Sequence, residues 1–199
     1  MRVAIAVVLL GAGLVAAQDS RSSSSLERPF ASNGRVRMEL SAGEYHIAGS
    51  ADNRIHMEWS TRDAESLAKV HNRVDVRDRD ASLMTDGPSN RNFRVTIHVP
   101  KQTDLYVRLT AGDLRVEDIR GNKDIELHAG DARIDVGRAE DYNSVDASLW
   151  AGDIKAEAFN IYKDGLFRSF DWKGKGPYKL HAHLKAGDLR LYSKADDKR

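Results

Sequence analysis

The chain has 199 residues, with 31 Lys and Arg against 30 Asp and Glu. That balance excludes a general nucleic-acid binder, which needs a basic excess to displace counterions. There is no cysteine, so disulfides, thiolate metal sites and lipid attachment on Cys are excluded too.

Arg2, the apolar run Val3 to Val15 and the small residues Ala16 and Ala17 read as a secretory signal peptide over residues 1–17. The run is shorter than the ~20 residues needed to span a bilayer. No second run follows it. The expected product is therefore exported, periplasmic or secreted to the cell surface, with no membrane span. Residues 18–28 contain four consecutive serines and read as a flexible leader. Residues 29–192 form one domain by length. Within it, Ile55/Met57/Trp59, Val74/Val76 and Phe93/Val95/Ile97/Val99 alternate as half-buried strands do. Asp63 to Val70 reads as a short helix. Residues 77–92 are polar and turn-rich and read as a loop. Residues 193–199 read as a frayed polar tail.

The strongest signal is an internal repeat. Leu-x-Ala-Gly-Asp/Glu, followed by an apolar–basic–apolar triplet, recurs around Gly43, Gly112, Gly130, Gly152 and Gly187. The glycines are 69, 18, 22 and 35 positions apart, so 18 is the bare unit and the longer gaps carry insertions. Leu105, Val107 and Leu109 alternate with polar residues, but the next apolar residue after Ala111 is Leu114, one step out of phase. A corner at Ala-Gly restores the inward face, and glycine tolerates the backbone angles that a corner needs. Each unit is then strand, corner, strand. Strands this short bury a face only by stacking. The fold class expected is all-β, a single-domain β-solenoid with Gly-Asp corners. An antiparallel β-sandwich is the alternative.

These units, together with Ile97-His-Val-Pro-Lys-Gln-Thr-Asp-Leu105, resemble the bacterial putative-adhesin family with a DUF4097-type domain. The resemblance covers about Phe30 to Tyr192. It implies a β-solenoid, often exported or membrane-anchored, with no catalytic residues to carry over. The chain departs from the family pattern in the long insert between its fourth and fifth units and in having no membrane anchor.

Asp113, Asp131, Asp153 and Asp188, with Glu44, occupy equivalent corners. Stacked ~5 Å apart, two such carboxylates repel by roughly 0.8 kcal/mol in water. A Ca²⁺ ladder is one outlet. The other is charge balance from His46, Arg115, Arg133, Lys155 and Arg190, each two residues further on and on the same face. The latter is the expectation, with no metal and no cofactor. His181 and His183 share an outward face, and His128 and Trp150 stand one residue before the Ala-Gly of their units, but no third ligand is evident. The insert at about 159–178 is rich in aromatic and basic residues. Trp150, Tyr162, Phe167, Arg168, Phe170, Trp172 and Lys173 are the candidate partner-contact residues. The competing reading makes the insert a lid over one end of the stack.

No nucleophile elbow, zinc-protease helix or P-loop is present in the sequence. The expected function is a non-catalytic, adhesin-like binding and display module of the cell envelope, with an envelope polymer or protein as partner. Two alternatives are a structural or regulatory envelope-stress protein and a small β-helix polysaccharide lyase or hydrolase.

Overall fold

The computed structural model describes residues 22–87 and 92–194. The signal-peptide reading over 1–17 and most of the tail reading lie outside these residues. In chain order the elements are β1 (Ser22–Pro29), β2 (Gly34–Leu40), β3 (Glu44–Ser50), β4 (Arg54–Thr61), α1 (Ala64–Ala68), β5 (His71–Arg77), β6 (Asp80–Asp86), β7 (Arg94–Pro100) and β8 (Thr103–Ala111). There follow β9 (Leu114–Glu117), β10 (Lys123–Ala129), β11 (Ala132–Asp135), β12 (Tyr142–Ala151), β13 (Ile154–Ala156), β14 (Ile161–Lys163), β15 (Leu166–Lys173), β16 (Tyr178–Ala186) and β17 (Leu189–Tyr192). Among the described residues, no helix is long and apolar enough to cross a membrane.

The strands form two mixed sheets, one of nine strands and one of eight, with a single core made by both. The nine-stranded sheet runs β1-β4-β7-β3-β9-β11-β17-β13-β14, and the eight-stranded sheet runs β15-β12-β16-β10-β8-β2-β6-β5. The central strands of both are parallel and in register. In the eight-stranded sheet Leu40, Leu109, Leu127, Leu184 and Leu149 stand side by side. In the nine-stranded sheet Ile47, Val116, Ile134, Leu191 and Ala156 do the same. All ten are buried. Each such leucine contributes ~1.5–3 kcal/mol of burial free energy, and the period of two places it inward because the intervening residues are polar.

Each repeat crosses from the eight-stranded to the nine-stranded sheet at its glycine. The glycines lie one above another. A Cβ built on Gly112 would meet the carbonyl oxygen of Gly43, one on Gly130 that of Gly112, one on Gly187 that of Gly130, and one on Gly152 that of Gly187. The spatial order therefore differs from the chain order, with the fifth unit between the third and the fourth. The reason is visible at the edges. After β13, the chain folds back as β14 and β15, which pair antiparallel with β13 and β12 and occupy the end of both sheets. The only parallel position left beside β12 lies on its other side, and β16 fills it, against β10 as well.

Two local expectations change and a third is met. Ser22 to Pro29, read in part as a flexible leader, is strand β1, which pairs residue by residue with β4. Its serines carry no apolar alternation to reveal this, because an edge strand is held by backbone hydrogen bonds, and only Leu26 packs on the core. Residues 77–92 are not one loop. Asp80–Asp86 is a strand that points Ala81, Leu83 and Thr85 inward. Only Asp78 and Arg79 turn between β5 and β6, with Asp78 at φ 53°. The short helix expected at 63–70 is present as α1, capped by Asp63, whose side chain accepts from the Ser66 N–H.

Candidate functional site

The corners show why aspartate recurs beside the glycine. The glycine N–H groups continue the inter-strand ladder around the bend: Gly112 donates to the Ala129 carbonyl, Gly130 to Ala186 and Gly187 to Ala151. The following N–H would be left over. For Asp188 it donates to an Asp131 carboxylate oxygen at 3.0 Å, and for Asp153 to an Asp188 oxygen at 3.0 Å. A carboxylate one repeat away thus satisfies a backbone donor, and these two side chains have a structural use that needs no ion.

The basic residues form the expected row. His46, Arg115, Arg133, Arg190 and Lys155 stand in register across β3, β9, β11, β17 and β13. Their partners differ from the expected corner carboxylates. Arg115 binds Glu117 at 2.8 Å, and Arg190 binds both Glu157 oxygens, at 3.1 and 3.0 Å. A groove of about 280 Å³ crosses this face between Glu44, His46, Arg94, Arg115, Asp131 and Arg133. Several of its charged groups are already engaged: Glu44 with Arg94, Arg115 with Glu117, and Asp131 with the Asp188 N–H.

Glu117 anchors the most connected polar cluster, and the repeat pattern did not single it out. It is buried at the end of β9. His46 Nε2 lies 2.8 Å from one oxygen, and Arg115 and the Tyr192 hydroxyl donate to the other at 2.8 and 3.1 Å. Burial alone raises its pKa, but the bonds from Arg115, His46 and Tyr192 outweigh this and hold it down at about 2.

Lys123 is another buried ionisable group outside the pattern. It takes an inward position between Leu105 and Leu180, where the repeat elsewhere places apolar residues. Its ammonium donates to the Ile119 carbonyl at 2.8 Å and the Tyr142 hydroxyl at 2.7 Å, which ties down the turn before β10. Burial lowers its pKa to about 8, and Asp135 partly offsets this. The folded protein then sheds this proton near pH 8, whereas the unfolded chain keeps it to ~10.5. Stability should therefore rise from pH 8 to pH 10, by up to ~3 kcal/mol. Above pH 10 it should fall, because Tyr142 and Tyr192 stay neutral in the fold while unfolded tyrosines ionise. Urea midpoints measured across that range should show the rise in the wild type and its absence in Lys123→Met.

His181 and His183, on the eight-stranded sheet, are engaged individually. His181 Nδ1 lies 3.2 Å from Asp146, and His183 Nδ1 lies 2.7 Å from the Ser148 hydroxyl. As the side chains are posed, no three His, Cys, Asp or Glu groups among the described residues stand together as metal ligands.

The insert divides its aromatics between two environments. Phe159 and Phe170 are buried and Trp172 is half-buried, with the Phe159 ring 6.3 Å from Phe170 and 5.1 Å from Trp172. These rings close the end of the core. Trp150, Tyr162, Leu166 and Phe167 point outward at 56%, 66%, 61% and 75% exposure. Tyr162 precedes and Leu166 and Phe167 follow the turn at Asp164 and Gly165, and the Trp150 and Phe167 rings are 6.0 Å apart. Arg168 donates to the Asp164 carbonyl and Lys163 to that of Ser169, bracing the turn. Lys173 is exposed at the far end of β15. Of the residues proposed for contact, Trp150 and Phe167 lie together, Tyr162 and Arg168 are exposed on the strands on either side of the turn, and Phe170 and Trp172 pack on the core.

No family model and no curated protein matches the chain. Among solved structures, a "putative cell adhesion protein" from Clostridium sporogenes is similar with TM-score 0.52 and 12% identity, over 87% of this chain and 100% of that one. A "putative adhesin" from Bacteroides fragilis gives TM-score 0.31 at 10% identity, over 89% of this chain and 100% of that chain. One from Parabacteroides distasonis gives 0.30 at 11%, over 87% and 71%. At this identity, the likeness to the Clostridium sporogenes structure is one of fold.

Proposed function

We propose that the chain is a non-catalytic, exported β-solenoid of the DUF4097 type, which displays a binding patch at one end in the manner of an adhesin. The stacked glycine corners and in-register leucine, basic and aspartate rows support the solenoid reading. The observation that carries the binding reading is the exposure of Trp150, Tyr162, Leu166 and Phe167 on strands next to one turn, with the Trp150 and Phe167 rings 6.0 Å apart. They are four of the five exposed large apolar side chains among the described residues. Buried rings would complete the end of the core just as well, so the exposed ones are not needed for closure. Lys155 lies opposite Tyr162 on the next strand, and Lys185 lies beside Trp150 by the register of β12 with β16. Aromatic faces flanked by cations suit the sugar rings and acidic groups of an envelope polysaccharide. The fold shared with a structure named for cell adhesion agrees with this reading.

The test is a Trp150→Ala/Tyr162→Ala/Phe167→Ala variant in binding assays with purified envelope polysaccharides. These side chains project from the surface, so the melting temperature should stay within a few degrees of wild type. Binding should weaken by at least ~tenfold, the scale of losing aromatic anchors. Unchanged binding would refute the patch. Capture of an envelope protein in place of a polymer would assign the same surface to a protein partner. Deleting the whole of residues 162–178 is unsuitable, because it removes β15 and buried Phe170 and opens the core.

A further inference from the structure

We propose that His56 and His98 form a cross-strand binding site for a divalent transition-metal ion on the outer face of the nine-stranded sheet, with His46 as its third imidazole. β4 and β7 are antiparallel and place His56 directly opposite His98. Their ring centroids are 6.0 Å apart, with planes tilted by 30°. A metal–nitrogen bond of ~2.0–2.1 Å puts two imidazoles on one ion with centroids roughly 5–6.5 Å apart. The pair is therefore already at ligand spacing.

His46 lies on the neighbouring parallel strand. It is opposite Thr96, while Ala48 is opposite His98. This diagonal relation brings long side chains within reach of each other, and Ala48 contributes only a methyl group between them. Two of the three rings have a carboxylate behind them. Glu117 lies 2.8 Å from His46 Nε2, leaving Nδ1 free of that contact. Glu27 lies 2.9 Å from His56 Nδ1, off the direction of a hydrogen bond, and that buried nitrogen has no hydrogen-bond partner. The hydrogen bond between Glu117 and His46 is of the kind that orients a metal-binding imidazole and strengthens it as a ligand.

The rings do not yet converge on one point as they are posed. The ion assembles the site by turning His46 toward the other two. An all-imidazole donor set selects Zn²⁺, Cu²⁺ or Ni²⁺ over Ca²⁺. Such an ion would tie together β4, β7 and β3, where the antiparallel edge joins the parallel stack.

The test uses the full processed chain without a histidine tag, titrated with Zn²⁺ by calorimetry and with Cu²⁺ by electron paramagnetic resonance. One ion should bind at ~10 µM or tighter, with nitrogen hyperfine structure in the Cu²⁺ spectrum. His98→Gln and His56→Gln should each weaken binding at least ~tenfold, and His46→Gln by less. His181→Gln/His183→Gln on the opposite sheet should leave it unchanged. All of these side chains lie on sheet surfaces, and circular dichroism checks that each variant folds. Affinity unaffected by His98→Gln, or no ion held below ~100 µM, would overturn the proposal.

Discussion

Replacing Gly130 by alanine should destabilise the protein by at least ~4 kcal/mol, which places it among the exceptional single substitutions. Two costs coincide. The residue sits at φ +121°, a conformation that L-residues avoid. The new Cβ would also stand 2.1 Å from the Gly112 carbonyl oxygen and 2.7 Å from its carbon. Those atoms belong to the backbone of the adjacent repeat, which is held by the Gly112 N–H bond to Ala129, so no side chain can move aside. Relief requires separating two repeats and breaking the ladders on both sides of the corner. Gly137 is the control. It has φ +67° with nothing within 4 Å of an added Cβ, and Gly137→Ala should cost only ~1–2 kcal/mol, the left-handed backbone penalty alone. Denaturant midpoints of the two variants decide the matter. A Gly130→Ala protein within 1 kcal/mol of wild type would mean that the corners are not in close contact.

Acid should remove a large share of the stability through Glu117. Its pKa is about 2 in the fold and ~4.3 in an unfolded chain. The folded state binds the carboxylate form more tightly, so its contribution is complete above pH ~4.5 and is lost as pH falls through 2. The size is about 3 kcal/mol. Other carboxylates titrate over the same range, so the diagnostic is a difference. Glu117→Gln should be less stable than wild type by ~2–3 kcal/mol at pH 7, because Arg115 and His46 lose their anionic partner. The gap should close as the pH approaches 2. Parallel stability curves for the two proteins from pH 7 to pH 2 would rule out this role.

The two strongest polar devices in the fold differ in how they could be read from the residues. Lys123 was legible in principle. It shares parity with Ile125 and Leu127, so a period of two puts it inside, and a lysine at an inward position demands partners. Glu117 sits at the last position of its strand, where alternation ends. Nothing local announces that Tyr192, His46 and Arg115 converge on it, since Tyr192 is 75 residues away. The insert shows the same divide. Its richness in rings was plain, but Phe170 and Phe167 are alike as residues. Phe170 lies opposite Ala147 in β15 and is buried, whereas Phe167, at φ 53°, turns out beside Trp150.

The residues alone determined that the chain is built of short strands, where each repeat bends, and that glycine and aspartate must stand at the bend. Those are local matters: a period of two, a phase slip, and backbone angles open to one residue type. Tertiary structure decided the order in which the repeats stack, the recruitment of Ser22–Pro29 and Asp80–Asp86 as strands, and which charges pair. The free energy of those choices comes from edges and neighbours distant in the chain. A strand edge accepts any backbone that reaches it, so side-chain pattern carries little information about which backbone that will be.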